Sequence, residues 1–252
     1  MPRLRTAFAS PDHKQRYVRS LFATIADRYD FITVFLSFGR DRSWKRRLVR
    51  EASLTTAERL IDLACGTGDI TFEAMRAGAR ATGLDVTKRM IELARAKSGV
   101  LVGGDRRAPH FLVADMTALP INTSSVDVVS TGYGLRNVPD LGVALDEIVR
   151  VLKPGGRLLS LDFNRPTSAV VRHAFLTYMT VVGSMLGWAL HGDPDTYRYI
   201  PESIKRYPGA EGIASLLGAR GFAQVRVIPL MFGFMTLHVA TGLTHRAIPA
   251  RA

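Results

Sequence analysis

The stretch LIDLACGTGDI, residues 60–70, is an apolar run that breaks at Gly66-Thr67-Gly68 and then resumes in a helical pattern. A strand, a tight glycine turn and a helix start have this appearance, and such a turn lets a ligand approach the backbone. Three chemistries could use it. A nucleoside triphosphate site would need Gly-x4-Gly-Lys-Ser/Thr, whose lysine is absent. A dinucleotide site would need a third glycine where Thr71 stands. Asp69 also occupies the position where a pyrophosphate would meet the helix N-terminus, and a carboxylate there repels phosphate.

A nucleoside without phosphates and with positive charge fits better, and S-adenosylmethionine is such a molecule. Asp62, Gly66 and Gly68 would surround its amino-acid tail and sulfonium. Asp85 ends the next strand pattern, where a carboxylate can accept from both ribose hydroxyls. Asp115 ends the third and can meet the adenine amino group, while Met116 offers an apolar face to the ring. Each acid alone could be a helix cap; three at successive strand ends favour the cofactor. No metal site is read. Arg136 and Asn137 follow the fourth strand pattern, where the methyl would lie. No NPPY-like tetrapeptide of amino-group methyltransferases stands there. Arginine stays protonated, so Arg136 would stabilise negative charge developing on a methyl acceptor, or lower the pKa of an acceptor's hydroxyl so that water takes the proton. Asn137 would orient the hydroxyl or that water. Tyr29, Asp162, His191 and Tyr197 are weaker candidates, and the proton acceptor stays open. Cys65, the single cysteine, reads as a buried filler.

The elements that must position these residues alternate from residue 59 to about 163. Strand patterns end at Ala64, Asp85, Asp115, Gly134 and Phe163, with helix patterns between them and Lys153-Pro154-Gly155-Gly156 as a turn. The alternation predicts an α/β fold: a Rossmann-like, seven-stranded, mostly parallel sheet with helices on both faces. Residues 223–230 and 233–242 supply an antiparallel pair closing one edge. Two helices, around 12–28 and 42–52, form an N-terminal helical cap over the carboxyl edge. The expected organisation is one domain: a cap (1–55), a cofactor-binding half (56–163) and a substrate-side helix with closing strands (164–252).

The chain has 252 residues, 47% hydrophobic and 22% charged, with a net charge of +12. That composition buries a sizeable core. The first 50 residues hold twelve basic and four acidic side chains, a net +8. Six of the twelve are Arg40, Arg42, Lys45, Arg46, Arg47 and Arg50, with Phe38 and Trp44 among them. An anionic partner follows, nucleic acid or acidic lipid. The N-terminus lacks the apolar core of a signal peptide. The apolar stretch 174–190 falls short of a bilayer span and reads as a helix that is partly buried or touches a membrane surface. Phe175, Tyr178, Met179, Met185 and Trp188 on it could wall a groove for an apolar tail.

The motifs DLACGTGD, GLD and VLKPGG resemble class I S-adenosylmethionine-dependent methyltransferases. More narrowly, RYDFITVFLSFGRDRSWKRRLV, ADMTALP, YGLRNVPD, DTYRYIPESI and LHVATG resemble the ubiquinone/menaquinone biosynthesis C-methyltransferases over nearly the whole chain. The resemblance implies methyl transfer to a ring carbon of a prenylated quinol, demethylmenaquinol to menaquinol, with the ubiquinone pathway as the alternative. It implies cofactor contacts at Thr67, Asp85, Asp115, Met116 and Gly132. Many ubiquinone-pathway members have serine where Gly132 stands, so glycine inclines the reading towards menaquinone. Thr33 replaces an asparagine that the family often has. The expected partners are the prenylated quinol and an anionic membrane surface, with no nucleic acid and with a homodimer left open. The expected location is cytoplasmic and peripherally membrane-associated.

Overall fold

The computed structural model describes residues 4–102, 108–166 and 168–244. Seven strands form one sheet: β1 (Arg59–Leu63), β2 (Arg80–Asp85), β3 (His110–Val113), β4 (Val126–Gly132), β5 (Leu152–Phe163), β6 (Phe222–Leu230) and β7 (Met235–Leu243). Their order is β3-β2-β1-β4-β5-β7-β6. The pairs among β1 to β5 are parallel. β7 runs antiparallel to both β5 and β6, one place in from the edge. The chain winds outward from β1 to β3 and then returns to β4. The switch point therefore lies between β1 and β4, where ligands of open α/β sheets bind.

Helices cover both faces. On one, α6 (Leu141–Val151) and α9 (Gly209–Ala219) bury Leu145, Ile148, Ile213 and Leu217 against Ile61, Leu63 and Val129. On the other, α3 (Asp41–Glu51) and α4 (Asp69–Arg76) bury Trp44, Leu48, Ile70 and Ala74 against Leu60, Val128 and Leu159. The neighbours Leu60 and Ile61 thus serve opposite cores, as a strand's period of two requires. α5 (Lys88–Val102) packs beside β2 and β3. The cap comprises α1 (Pro11–Ile25), α2 (Tyr29–Leu36) and α3. Ser10 caps α1 by accepting from the His13 amide, with Pro11 at the first helical position, where its missing N–H costs nothing. Tyr17, Leu21, Ile25 and Ile32 of the cap form a third core with Tyr197 and Tyr199. Those tyrosines belong to α8 (Asp195–Arg206), which follows α7 (Ala169–His191).

Three features differ from the sequence reading and one, the helix around Pro201, was not part of it. The first cap helix stops at Ile25, and a 3-10 turn, Ala26–Arg28, leads into α2. The Lys-Pro-Gly-Gly segment lies inside β5, whose register against β4 shifts between Val126 and Val128; a bulge absorbs what looked like a turn. α8 forms around an internal proline, Pro201. Finally, α7 has 23 residues, so by length and composition it could cross a bilayer, although the shorter stretch read from sequence could not. It lies against α8 instead. A Cβ at Gly187 would stand 2.5 Å from the Asp193 carbonyl oxygen, and one at Gly183 would stand 3.2 Å from Tyr197 Cβ.

Candidate active site

The glycine turn is built from beneath and from the side. Asp62 is wholly buried and accepts from the Thr71 hydroxyl at 2.7 Å and the Ser130 hydroxyl at 2.9 Å. Burial pushes its carboxyl up to about 7, against the pull of those two hydroxyls. Asp62 lines neither large cavity; it ties β1 to α4 and β4, so it positions the turn. Gly68 has φ +90°, and a Cβ there would lie 2.8 Å from the Phe111 ring. Only glycine fits that left-handed, crowded position, and Gly68 too stands back from the cavity. The Asp85 carboxylate accepts from the Gly66 amide at 2.9 Å and the Thr87 amide at 2.8 Å. It is 8% exposed, and desolvation raises its pKa against those hydrogen bonds.

Above the turn lies a cavity. Gly66, Asp85, Asp115, Met116, Gly132 and Asn137 all line it. The sequence candidates therefore converge, except Asp62, Thr67, Gly68 and Arg136. Thr67 is buried but turned away from the cavity: its hydroxyl donates to Asp30 at 2.6 Å and accepts from the Lys97 ammonium at 2.9 Å. The cavity's roof comes from α1 through Gln15, Val18 and Phe22. Sequence reading assigned the cap a position but none of these contacts. Gln15 donates to Asp115, whose other oxygen accepts from the Thr117 amide at 2.8 Å and the Thr117 hydroxyl at 2.6 Å.

A second cavity adjoins the first. Phe22, Tyr29 and Tyr133 line both, so these rings form the shared wall. The second cavity is mostly apolar, with Ile32, Phe163, Phe175, Tyr178 and Met179 among its walls. Phe175, Tyr178 and Met179 were expected there; Met185 and Trp188 instead face outward, 66% and 71% exposed. Arg136 also lines it. Its Nε lies 3.0 Å from Asp162, and Nη1 donates to Ser203 at 2.8 Å and to Asn137 Oδ1 at 3.3 Å. The guanidinium sits over the Phe163 ring, 5.0 Å from its centroid. The Asn137 amide donates to the Tyr133 carbonyl at 2.7 Å. Burial raises the Asp162 carboxyl, and Arg136 partly offsets this.

Other expected side chains are spent locally. The Thr33 hydroxyl donates to its own helix carbonyls, Tyr29 at 2.9 Å and Asp30 at 3.1 Å. His191 lies 2.9 Å from the Tyr197 hydroxyl, outside both cavities. Two site residues hold strained backbone, Ala64 at φ 53° and Tyr133 at φ 62°. A left-handed non-glycine residue costs about 1–2 kcal/mol, and such outliers cluster at ligand sites.

Residues 10–242 match the model of the ubiE/COQ5 methyltransferase family. The chain belongs to that family. It is 38% identical to a demethylmenaquinone methyltransferase of Thermus thermophilus, over 87% of this chain and 98% of that one. It is 36% identical to a ubiquinone/menaquinone biosynthesis C-methyltransferase of Rubrivivax gelatinosus, over 93% of this chain and 91% of that one. Among solved structures, magnesium protoporphyrin IX methyltransferase of Synechocystis with bound S-adenosylhomocysteine superposes with a TM-score of 0.62. Its 16% identity, over 90% of this chain and 98% of that one, speaks for the fold alone.

The methyltransferase's cofactor is S-adenosylmethionine, and its first cavity suits that molecule. Each Asp85 oxygen accepts one backbone N–H, which leaves lone pairs for ribose hydroxyls. Met116, Leu119 and Val138 give an apolar bed for a ring beside Asp115. Asp69 opens α4, so its carboxylate occupies the place a phosphate would need.

Proposed function

We propose that this methyltransferase transfers a methyl to a ring carbon of a prenylated quinol, converting demethylmenaquinol to menaquinol, at the wall shared by the two cavities. The observation that carries the reading is the second cavity: a large apolar chamber with a buried arginine beside the wall facing the cofactor. An isoprenoid tail matches the aromatic and aliphatic lining. A quinol head matches Arg136 and Asn137.

S-adenosylmethionine supplies an electrophilic sulfonium methyl. The chain's own residues then have three tasks. Phe22, Tyr29 and Tyr133 exclude water from the seam. Arg136 stabilises the phenolate that makes the ring carbon nucleophilic, and its low-dielectric setting strengthens that effect. Asn137, fixed by Tyr133 and Arg136, orients the hydroxyl or the water that takes its proton. Asp162 and Ser203 hold the guanidinium so that it need not reorganise.

Methyl transfer to reduced, short-chain demethylmenaquinone tests the reading, with a ubiquinone precursor and RNA as comparators. Methylated menaquinol is expected. Transfer to RNA alone, or to none, overturns it. The ubiquinone pathway is the second reading. A Cβ at position 132 would lie 2.8 Å from Ile70 Cδ1, so serine there would press on α4 where glycine does not.

The substrate's tail brings the protein to a membrane, and the surface supports peripheral docking. α2 exposes Phe31, Val34 and Phe35; α7 exposes Val181, Met185 and Trp188. Phe38 stacks on Tyr178, 6.0 Å between centroids, joining the two helices at the cavity's lip. Phe232, 97% exposed, follows another lip residue, Met231. Arg40, Arg42, Arg46 and Arg50 are exposed nearby in the chain. Two members of the expected basic and aromatic cluster are withdrawn from this role: Lys45 and Trp44 are each 7% exposed. Arg3 lies outside the described residues.

A further inference from the structure

Beside the cofactor cavity is a small cleft lined by Lys45, Asp69, Thr67 and Ile70. Tyr29, Ala64, Gly132 and Tyr133 line both spaces, so the cleft continues the cavity. The adenine and ribose ends of the cavity are fixed by Asp115 and Asp85. The rest of an S-adenosylmethionine molecule must leave along the glycine turn, past Ala64 and Gly132. That path ends in the cleft. What must be seated there is a zwitterion, one ammonium and one carboxylate.

The cleft carries one buried cation and one carboxylate. Lys45 Nζ lies 2.7 Å from Asp41 and 2.9 Å from Asp69. An ammonium has three protons, so two are committed and one remains. Asp41 has a further partner, the Tyr133 hydroxyl at 2.7 Å, which holds it in place behind Lys45. Asp69 is more open, its side chain 34% exposed against 9% for Lys45, and its other oxygen lies 3.5 Å from Lys97 Nζ. A plain structural ion pair would not need a cap lysine buried between two acids at the mouth of a ligand cavity.

We propose that Lys45 binds the carboxylate of the cofactor's methionine with its third proton, while Asp69 faces the methionine ammonium. The cap helix α3 is thereby part of the cofactor site. The inference rests on S-adenosylmethionine as the cofactor and extends it to residues outside the glycine motif.

The test compares S-adenosylmethionine with its decarboxylated analogue, which keeps the sulfonium and the amine but lacks the carboxylate. Calorimetric titration on the wild-type protein should show a preference for the carboxylated form of about tenfold or more, the scale of one charge-assisted hydrogen bond. In Lys45→Met the preference should vanish while the analogue's affinity changes little. Lys45→Arg should retain a preference. Should Lys45→Met fail to fold because Asp41 is left buried and unpaired, the Asp41→Asn/Lys45→Met pair removes the imbalance and is read the same way. A preference that survives in the lysine-free variants, or none in the wild type, overturns the assignment. Failure of the wild type to bind either form overturns the cofactor itself.

Discussion

In the proposed reaction Arg136 is both a structural ion and a reagent. Its pairing with Asp162 holds a charge in the apolar chamber, and its remaining edge is free to meet a developing phenolate. Arg136→Ala should lower kcat by roughly 10², the scale of one lost transition-state donor, with cofactor affinity unchanged. Near-normal turnover at saturating quinol would reduce Arg136 to a structural role. Asp85→Ala should weaken cofactor binding at least about tenfold, since each charged hydrogen bond is worth roughly 1.5–3 kcal/mol. The same change frees the Gly66 amide, so Asp85→Asn is the gentler control; calorimetry showing wild-type affinity in both would remove Asp85 from the site. Asp62 gives a pH signature. Its carboxyl is raised to about 7 in the fold and is ordinary when unfolded. Between those values the native state holds the extra proton, so stability falls as pH rises, by up to about 1.4 kcal/mol per pH unit. Asp62→Asn abolishes that term. Its melting temperature relative to wild type should climb from pH 4 to 7 and then level; a flat difference would show that Asp62 ionises normally.

At the scale of elements, the half-sheet that makes the cofactor site was legible because β1, β2 and β4, largely buried, read as apolar runs, while the more exposed β3 was marked by the acid that follows it, Asp115. Asp85 and Asp115 could be placed from the chain alone. Arg136 and Asn137 could be placed after the fourth strand, but not on opposite sides of the wall between two cavities. What stayed hidden depends on partners distant in sequence. α8 is stabilised by Tyr197 and Tyr199 packing into the cap core, which overrides the local signal of Pro201. Gln15 becomes a site residue only because α1 lies over Asp115. Lys45 read as one of six surface cations, and its burial comes from Asp41 and Asp69 around it. The exposed faces of α2 and α7 carry a prediction of their own. Basic residues near an anionic surface contribute about 1 kcal/mol each, so replacing Arg40, Arg42 and Arg46 with Gln should weaken sedimentation with anionic vesicles by roughly two orders of magnitude. Phe232→Ser with Trp188→Ala should weaken it at every salt concentration, because apolar contact is not screened. Equal binding by all variants, or none by the wild type at low salt, would leave these faces as ordinary solvated surface.

For the whole molecule, the issue is how a cofactor enters a cavity whose roof is the cap. The cap meets the body through a row of polar contacts: Gln15 to Asp115, Arg89 to Asp27, Lys97 to Asp30 and Lys45 to Asp69. Most are at least partly exposed, and exposed ion pairs are worth about 0–1 kcal/mol each. Behind them the cap packs on α8 through Tyr17, Tyr197 and Tyr199, a firmer, apolar joint. If the cap yields at its weaker, polar end, α1 and α2 open as a flap about their contacts with α8, since ligand lids are drawn from low-stability parts. A cofactor touching both cap and body would tighten that end. Cofactor at a hundred times its dissociation constant stabilises the native state by about 2.7 kcal/mol, which for a chain of this size raises the melting temperature by roughly 5–10 °C. Its local effect should be uneven. Amide hydrogen exchange should slow most in α1 and α2 and least in α6 and α9, which pack on the sheet face remote from the cap. Slowing spread equally over all these helices would show that the cap opens only when the whole domain unfolds.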